Sequence, residues 1–294
     1  MTNQGKAWLA LIAAFGTWGF FPLFVRLMSA MRAEELLYVR VIFSLLILLI
    51  IYLYQGRMAG LLRPLCQTRT CLRLLITAVL IALNWLFYIV AVNKNLTSQA
   101  SMGYFITPLI NVALGICLFG EKLDKWRALA LGCASIGLLY QILVFGEFPW
   151  LALAIGGSFG CYGSLRKKFQ LPAVAGLFAE MLILSPFVLA AWLWLAAQGQ
   201  AFDYAAQPSM IIYCLGAGVI TLAPLLLYLY AVEHLPLNAV AMAQYSTPSL
   251  QFLLAIFYFH EPFDWTKLIT FLFIWTGLGI YSLRLIYHYR RNTI

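Results

Sequence analysis

The chain alternates long apolar runs with short polar breaks. A helix needs ~20 consecutive apolar residues to cross ~30 Å of hydrocarbon. Ten such runs lie between charges and turn residues, near 7–27, 36–54, 72–93, 98–119, 126–145, 149–166, 173–196, 209–232, 238–259 and 266–288. The breaks leave no room for a soluble catalytic domain. The first run follows Lys6 in the manner of a signal peptide, but it is long enough to span, has no convincing cleavage site and has a counterpart later in the chain. It reads as a retained span.

The runs repeat. "FITPLINVALGICLFGEKLDK" (105–125) returns as "YSTPSLQFLLAIFYFHEPFDW" (245–265), with Thr107, Pro108, Leu114, Ile116, Phe119, Glu121 and Asp124 recurring 140 residues on. Seven matches stand against roughly two expected by chance in so apolar a composition. Tyr88, Ala91 and Val92 recur as Tyr228, Ala231 and Val232 at the same interval, and "FGTWG" (15–19) returns as "FGCYG" (159–163) at 144. The halves are therefore 1–145 and 149–290, five spans each. Five is odd, so the second half enters the membrane upside down. The expected fold is an all-α polytopic membrane protein whose ten transmembrane helices form two inverted five-helix repeats, a recurring architecture of secondary transporters. A duplication retained in a static scaffold is the plainer alternative.

Composition and charge sharpen this. Apolar residues make up 64% and charged residues 10%, against about 45–50% and 25% in soluble domains. The net charge of +9 calls for no nucleic-acid partner, because its placement follows the membrane. With the N-terminus cytoplasmic, fourteen Lys and Arg fall inside and five (Arg26, Arg32, Arg40, Lys94 and Lys267) outside, a positive-inside bias that puts both termini in the cytoplasm. Cys117, Cys133, Cys161 and Cys214 lie within spans, and the spacing of Cys66 and Cys71 is not a zinc pattern. Free thiols, no metal and no cofactor are expected.

Polar residues inside the spans fall on stripes. Asn84, Tyr88 and Ala91 share a face of span 3, answered by Thr221, Pro224 and Tyr228 in span 8. Tyr104, Thr107 and Asn111 share a face of span 4, answered by Gln244, Thr247, Pro248 and Gln251 in span 9. A residue facing the pseudo-two-fold axis has a mate that also faces it, so these stripes are candidates for lining a central cavity. The alternative is interhelical hydrogen bonding as packing glue. Trp18 and Tyr162, equivalent across the repeats, are placed to stack on a substrate. Pro108 and Pro248 act either as hinges that expose a carbonyl or as fixed kinks.

Charges within spans have several readings. Arg40 and Glu180 stand opposite at the 140 interval, yet inversion separates them by roughly 10 Å or more along the membrane normal. Arg40 is placed to snorkel to headgroups, or to take part in proton coupling or gating. Glu180 is a candidate for proton coupling, or for anchoring a helix end by pairing with Arg166 or Lys167. Asp124 and Asp264 read as helix caps rather than as catalytic partners of Glu121 and Glu261. Trp8, Trp126, Trp150 and Trp265 sit near span ends as an interfacial belt, and Gly156, Gly160 and Gly163 leave one face of span 6 bare for close packing. "EELLYVR" (34–40) with His234 and Asn238 faintly resembles elements of intramembrane CAAX-type proteases. The first spacing is one residue too long, and Glu34 and His234 fall at opposite faces.

"LNWLFYIVAVNKNLTSQASMGYFITPLINVALGICLFGEKL" (83–123) resembles the EamA-type drug/metabolite transporters, in particular the RarD-like, chloramphenicol-sensitive subgroup. "YGSLRKK" (162–168), "AGLFAEMLILSPF" (175–187) and "QYSTPSLQFLLAIFYFHEP" (244–262) extend the likeness almost end to end. The resemblance implies ten helices, a central substrate cavity and transport of small metabolites, often export, in the bacterial inner membrane. It carries functional positions onto Asn84, Trp85, Tyr104, Asn111, Tyr162 and Glu180. Gln99 stands where close relatives carry an acid, and His260 replaces the Gly before the second Glu, so coupling and gating details do not transfer. The expected partners are a small-molecule substrate and the lipid bilayer. Amino acids and related compounds head the substrate classes, with a channel or lipid translocator as the alternative and an integral-membrane enzyme further off. Oligomeric state is not fixed by these residues.

Overall fold

The structure is a computed structural model that describes residues 3–28, 30–54, 56, 67–93, 97–145, 150–204, 206–258, 260 and 265–292. Cys66, Lys94, Glu261 and Asp264 lie outside the described residues, as do the side chains of Gln99, Asn238 and Lys267. Among the described residues the helices are α1 (Asn3–Leu27), α2 (Ala33–Tyr54), α3 (Thr68–Asn93), α4 (Thr97–Phe119), α5 (Lys125–Phe145), α6 (Trp150–Phe169), α7 (Ala173–Ala197), α8 (Met210–His234), α9 (Leu237–Gln244), α10 (Ser246–Phe257) and α11 (Trp265–Asn292). Helices α9 and α10 follow one another across Tyr245 and together make span 9; α11 is span 10. Over the described residues α1, α2, α3, α7 and α8 are long and apolar enough to cross a membrane. An even number of spans returns the chain to its starting side, so both termini lie at one end of the bundle, called the terminal end below.

Polarity is distributed as in a protein dissolved in lipid. Ile12, Ile50, Leu143, Phe187 and Ile212 are exposed, whereas Thr77, Asn111, Gln141, Glu180 and Gln244 are buried. Lipid offers no partner to a polar group, so polar side chains turn inward and find one another.

Most packing runs between the repeats and obeys the inversion. Helix α1 packs on α8 and on α10; their mates, α6 on α3 and α6 on α4, are also in contact. The α2·α8 contact is answered by α7·α3, while α2·α7, α4·α9 and α5·α11 each map onto themselves. The last of these shows the dyad residue by residue. A Cβ at Gly137 would sit 2.9 Å from the Thr270 carbonyl oxygen, and one at Gly277 would sit 2.5 Å from that of Ala130. Both Gly137 and Gly277, and Ala130 and Thr270, are 140 apart. Tyr245 reaches the Phe105 carbonyl, its own mate's position, at 3.5 Å.

The repeats differ in the backbone of spans 4 and 9. Span 4 runs unbroken through Phe105 and Pro108, whereas span 9 is interrupted at Tyr245. Pro248 lies three residues past the break, in the first turn of α10. Its missing N–H cannot serve the Gln244 carbonyl four residues back, so the break falls where a proline kink is expected. Tyr245 keeps a right-handed backbone (φ −63°, ψ −15°).

Short turns close the spans. Asp124 caps α5, accepting from the Trp126 N–H at 2.9 Å. Gly120 and His260, 140 apart, both hold a left-handed backbone, with φ of 62° and 53°. Glycine takes this conformation freely; a side chain with a Cβ is strained in it by roughly 1–2 kcal/mol. His260→Gly is expected to stabilise the protein by about 1 kcal/mol, read as a raised thermal midpoint in detergent; an unchanged or lower midpoint contradicts it.

Candidate functional site

A cavity of about 100 Å³ lies between the repeats. A cavity needs at least ~10–15 Å³ to hold one water, so this space has room for several water-sized bodies.

Its walls come from helices of both halves. Helix α3 turns Ile81, Asn84, Trp85 and Tyr88 inward at i, i+3, i+4 and i+7, one face of a helix. Opposite stand Tyr104 and Thr107 from α4, Thr221 and Leu225 from α8, and Gln244, Thr247 and Gln251 from span 9. Phe15, Trp18 and Phe21 from α1, and Phe159 from α6, add aromatic surface. Arg40 of α2 completes the lining. Of the candidates raised by the sequence, Trp18, Asn84, Trp85, Tyr88, Tyr104, Thr221, Gln244, Gln251 and Arg40 are thus brought together. Arg40 is the correction among them: it faces the cavity rather than the headgroups.

Fixed amides hold the wall in place. Asn84 Nδ2 donates to the Ile155 carbonyl at 2.8 Å and to Ser158 Oγ at 3.3 Å. Gln251 Nε2 donates to the Trp18 carbonyl at 3.1 Å, and Thr247 Oγ1 to that of Phe15 at 3.0 Å. Span 9 is therefore tied to span 1 through side chains. Thr107, the mate of Thr247, instead bonds back to Gly103 of its own helix at 2.8 Å.

The remaining candidates fall outside the lining. Asn111 is buried behind the wall, its amide donating to Gln244 Oε1 at 3.1 Å, so it orients a lining residue instead of being one. Tyr162 and Tyr228 are fully buried toward the terminal end. There Phe159 packs on Tyr228 at 5.1 Å and on Tyr162 at 6.2 Å, while Trp18 packs on Tyr228 at 5.7 Å, building an aromatic floor. The floor needs Gly163, because a Cβ there would collide with the Tyr228 hydroxyl. Pro108 and Pro248 do not reach the cavity. Nor does Glu180, whose carboxylate pairs with Arg166 at 3.2 Å and accepts from Thr77 and from Tyr162 at 3.0 Å.

Beyond the floor, the terminal end is fastened by Glu121, which the sequence did not mark as a site. Its carboxylate accepts the Leu237 N–H at 2.7 Å and lies 3.9 Å from Lys167 Nζ, which itself donates to the Leu235 carbonyl. The recurrence of Glu121 as Glu261 was the available signal. The protease-like residues do not meet: Glu34 pairs with Arg32 at 3.7 Å, and His234, at the other end of the bundle, bonds to the Tyr230 carbonyl. The described cysteines are free thiols. Trp126, Trp150 and Trp265 are exposed near helix ends, whereas Trp8 packs against the core.

Residues 5–143 and again 148–283 match the EamA-like transporter family. An uncharacterized transporter of Vibrio cholerae serotype O1 is 39% identical over 94% of this chain and 92% of its own length. Protein RarD of Escherichia coli K12 is 36% identical over 99% and 98%. A protein of known crystal structure, 16% identical, superposes with a TM-score of 0.72 over 94% of this chain and 97% of its own, a likeness of fold alone. Matches across both halves, with relatives of this identity over nearly full length, make the chain a RarD-like member of the EamA-like transporter family, a membrane transporter of the drug/metabolite superfamily.

Proposed function

We propose that the protein moves a small metabolite, an amino acid or a related compound, across the bacterial inner membrane by alternating access, exporting it from a cytoplasm that holds both termini. The observation that carries this reading is the broken symmetry around the cavity. Equivalent residues do different things in the two halves: span 9 is interrupted where span 4 is continuous, and Thr247 grips span 1 while Thr107 bonds within its own helix. An inverted pair of repeats reaches its opposite-facing state by exchanging these two arrangements. The 140 interval maps Glu121 and Leu237 onto Glu261 and Thr97, which offers the same fastening to the far end when the terminal end opens.

The test is solute counterflow in proteoliposomes, with internal metabolite driving uptake of labelled metabolite against a panel of amino and organic acids. Saturable, trans-stimulated uptake supports the carrier; linear flux without trans-stimulation marks a channel, and movement of labelled lipid alone marks a translocator. Glu121→Ala is the companion variant. A hydrogen bond to a charged group is worth about 1.5–3 kcal/mol, so the terminal end is expected to open roughly ten- to hundredfold more often. Faster amide exchange over residues 235–244 reports it; unchanged exchange overturns the role given to Glu121.

A further inference from the structure

Arg40 is the one charged side chain in the described lining. Its Nε donates to Thr221 Oγ1 at 2.8 Å. The guanidinium carbon lies 5.0 Å from the Trp85 ring centroid and 5.2 Å from that of Phe21, so two aromatic faces clasp the cation. Among the described residues its two terminal nitrogens have no acceptor, and the residue keeps surface open to the cavity. Among the described residues no carboxylate lines the cavity or pairs with Arg40. The nearby Glu35 is occupied, accepting the Phe202 N–H at 2.6 Å. Glu121 and Glu180 are engaged toward the terminal end.

A cation held away from bulk water without a counter-ion is unfavourable unless something supplies the charge. The free edge of a guanidinium is a planar two-donor fork that matches a carboxylate in bidentate fashion. Charge count then separates the classes of solute. A monoanion neutralises the cavity, a zwitterion leaves one positive charge in it, and an amine leaves two. Asn84 donates to the Ile155 carbonyl and Ser158 Oγ, and Gln251 to the Trp18 carbonyl, which leaves their oxygens as acceptors for a donor on the solute, hydroxyl or ammonium alike. Trp18, Trp85, Tyr88 and Tyr104 take its apolar body.

We infer that the solute is a small organic monocarboxylate, foremost a hydroxy acid, held through its carboxylate on the terminal nitrogens of Arg40. This rests on the reading of the cavity as the transport site, and it narrows "amino acid or related compound" to acids without an ammonium group.

Binding to the purified full chain, by calorimetry in detergent, tests it with three matched sets. Lactate, 2-hydroxyisocaproate and 3-phenyllactate are set against alanine, leucine and phenylalanine, and against ethylamine, isopentylamine and phenethylamine. In the set whose size fits, the hydroxy acid is expected to bind on the order of tenfold more tightly than its amino acid, with no binding of the amine. Arg40→Lys keeps a charge between the rings but loses the fork, weakening the acid roughly tenfold; Arg40→Gln weakens it on the order of a hundredfold. Should Arg40→Gln fail to fold, the lysine variant and the wild-type ligand order decide. Equal binding of the amino acid or amine, wild-type acid binding by either variant, or no acid bound at any size overturns the inference. Saturable counterflow of an amino acid alongside such a result leaves the carrier standing; no saturable counterflow of any of the nine removes both.

Discussion

Glu180→Ala is expected to lower the stability of the protein by about 3–5 kcal/mol, the range for removing one partner of a buried ion pair. The side chains of Arg166 and Glu180 are 2% and 0% exposed. Removing the carboxylate strands a guanidinium with no water to take it up. The loss spreads through three spans, because Glu180 of α7 also accepts from Thr77 of α3 and Tyr162 of α6. Arg166 meanwhile uses its other terminal nitrogen on the carbonyls of Pro172 and Ala173, at 3.2 and 3.1 Å, and so fixes the turn into α7. Arg166→Ala is expected to cost about as much, for the mirrored reason. The double variant Arg166→Met with Glu180→Leu is expected to recover most of the loss, since replacing both ions by apolar groups of similar volume is often near neutral. Thermal or denaturant unfolding in detergent reads all three. A wild-type midpoint for Glu180→Ala, or additive losses in the double variant, contradicts the assignment of this pair as a mutually dependent anchor.

Much of this was legible in the sequence. Apolar run length located every span to within a few residues, because ~20 residues of apolar helix is what hydrocarbon requires. The interval of 140 supplied the pairing of positions. Stripes such as Asn84 with Tyr88 reached the cavity because helical spacing fixes which side chains share a face. Depth and rotation were not legible. Span 2 is apolar almost all round, so nothing in its pattern tells whether Arg40 turns to headgroups or inward. Asn111 and Gln251 are mates, yet one is sealed behind Gln244 and the other faces the cavity, because a single state of an inverted repeat is asymmetric. The interruption at Tyr245 has the same origin: Phe105 occupies the equivalent position in an unbroken helix, so local sequence alone does not decide it. Glu121 looked like a loop carboxylate until the fold brought Leu237 to it.

Gly277→Val is expected to be among the most damaging changes in a part of the molecule remote from the cavity. Helices α5 and α11 contribute nothing to the lining, but they pack on one another across the dyad with backbone close to backbone at Gly137 and Gly277. A Cβ at Gly277 would lie 2.5 Å from the Ala130 oxygen, and one at Gly137 would lie 2.9 Å from that of Thr270 and 3.0 Å from Phe273 Cβ. The obstructing oxygens belong to backbone held in helical hydrogen bonds, so neither can swing aside as a side-chain tip would. The helices must separate, which also strains the bond from Thr270 Oγ1 to the Gly137 carbonyl at 3.3 Å. Overpacking of this kind typically costs about 1–3 kcal/mol, and valine at Gly277 is expected at or above the upper end. Gly137→Val should cost less than Gly277→Val, and the pair together less than their sum, because the first separation already makes room for the second. Gly132 and Gly279, on the same two helices, have nothing within 4 Å of an added Cβ. Alanine there is expected to be neutral or to stabilise by up to about 1 kcal/mol through helix propensity. Unfolding midpoints of the four variants separate the two kinds of glycine. If Gly277→Val unfolds with Gly279→Ala, the close approach of α5 and α11 is wrong; if it destabilises while surviving protein binds its solute with unchanged affinity, the two helices act as the brace against which the cavity-forming spans move.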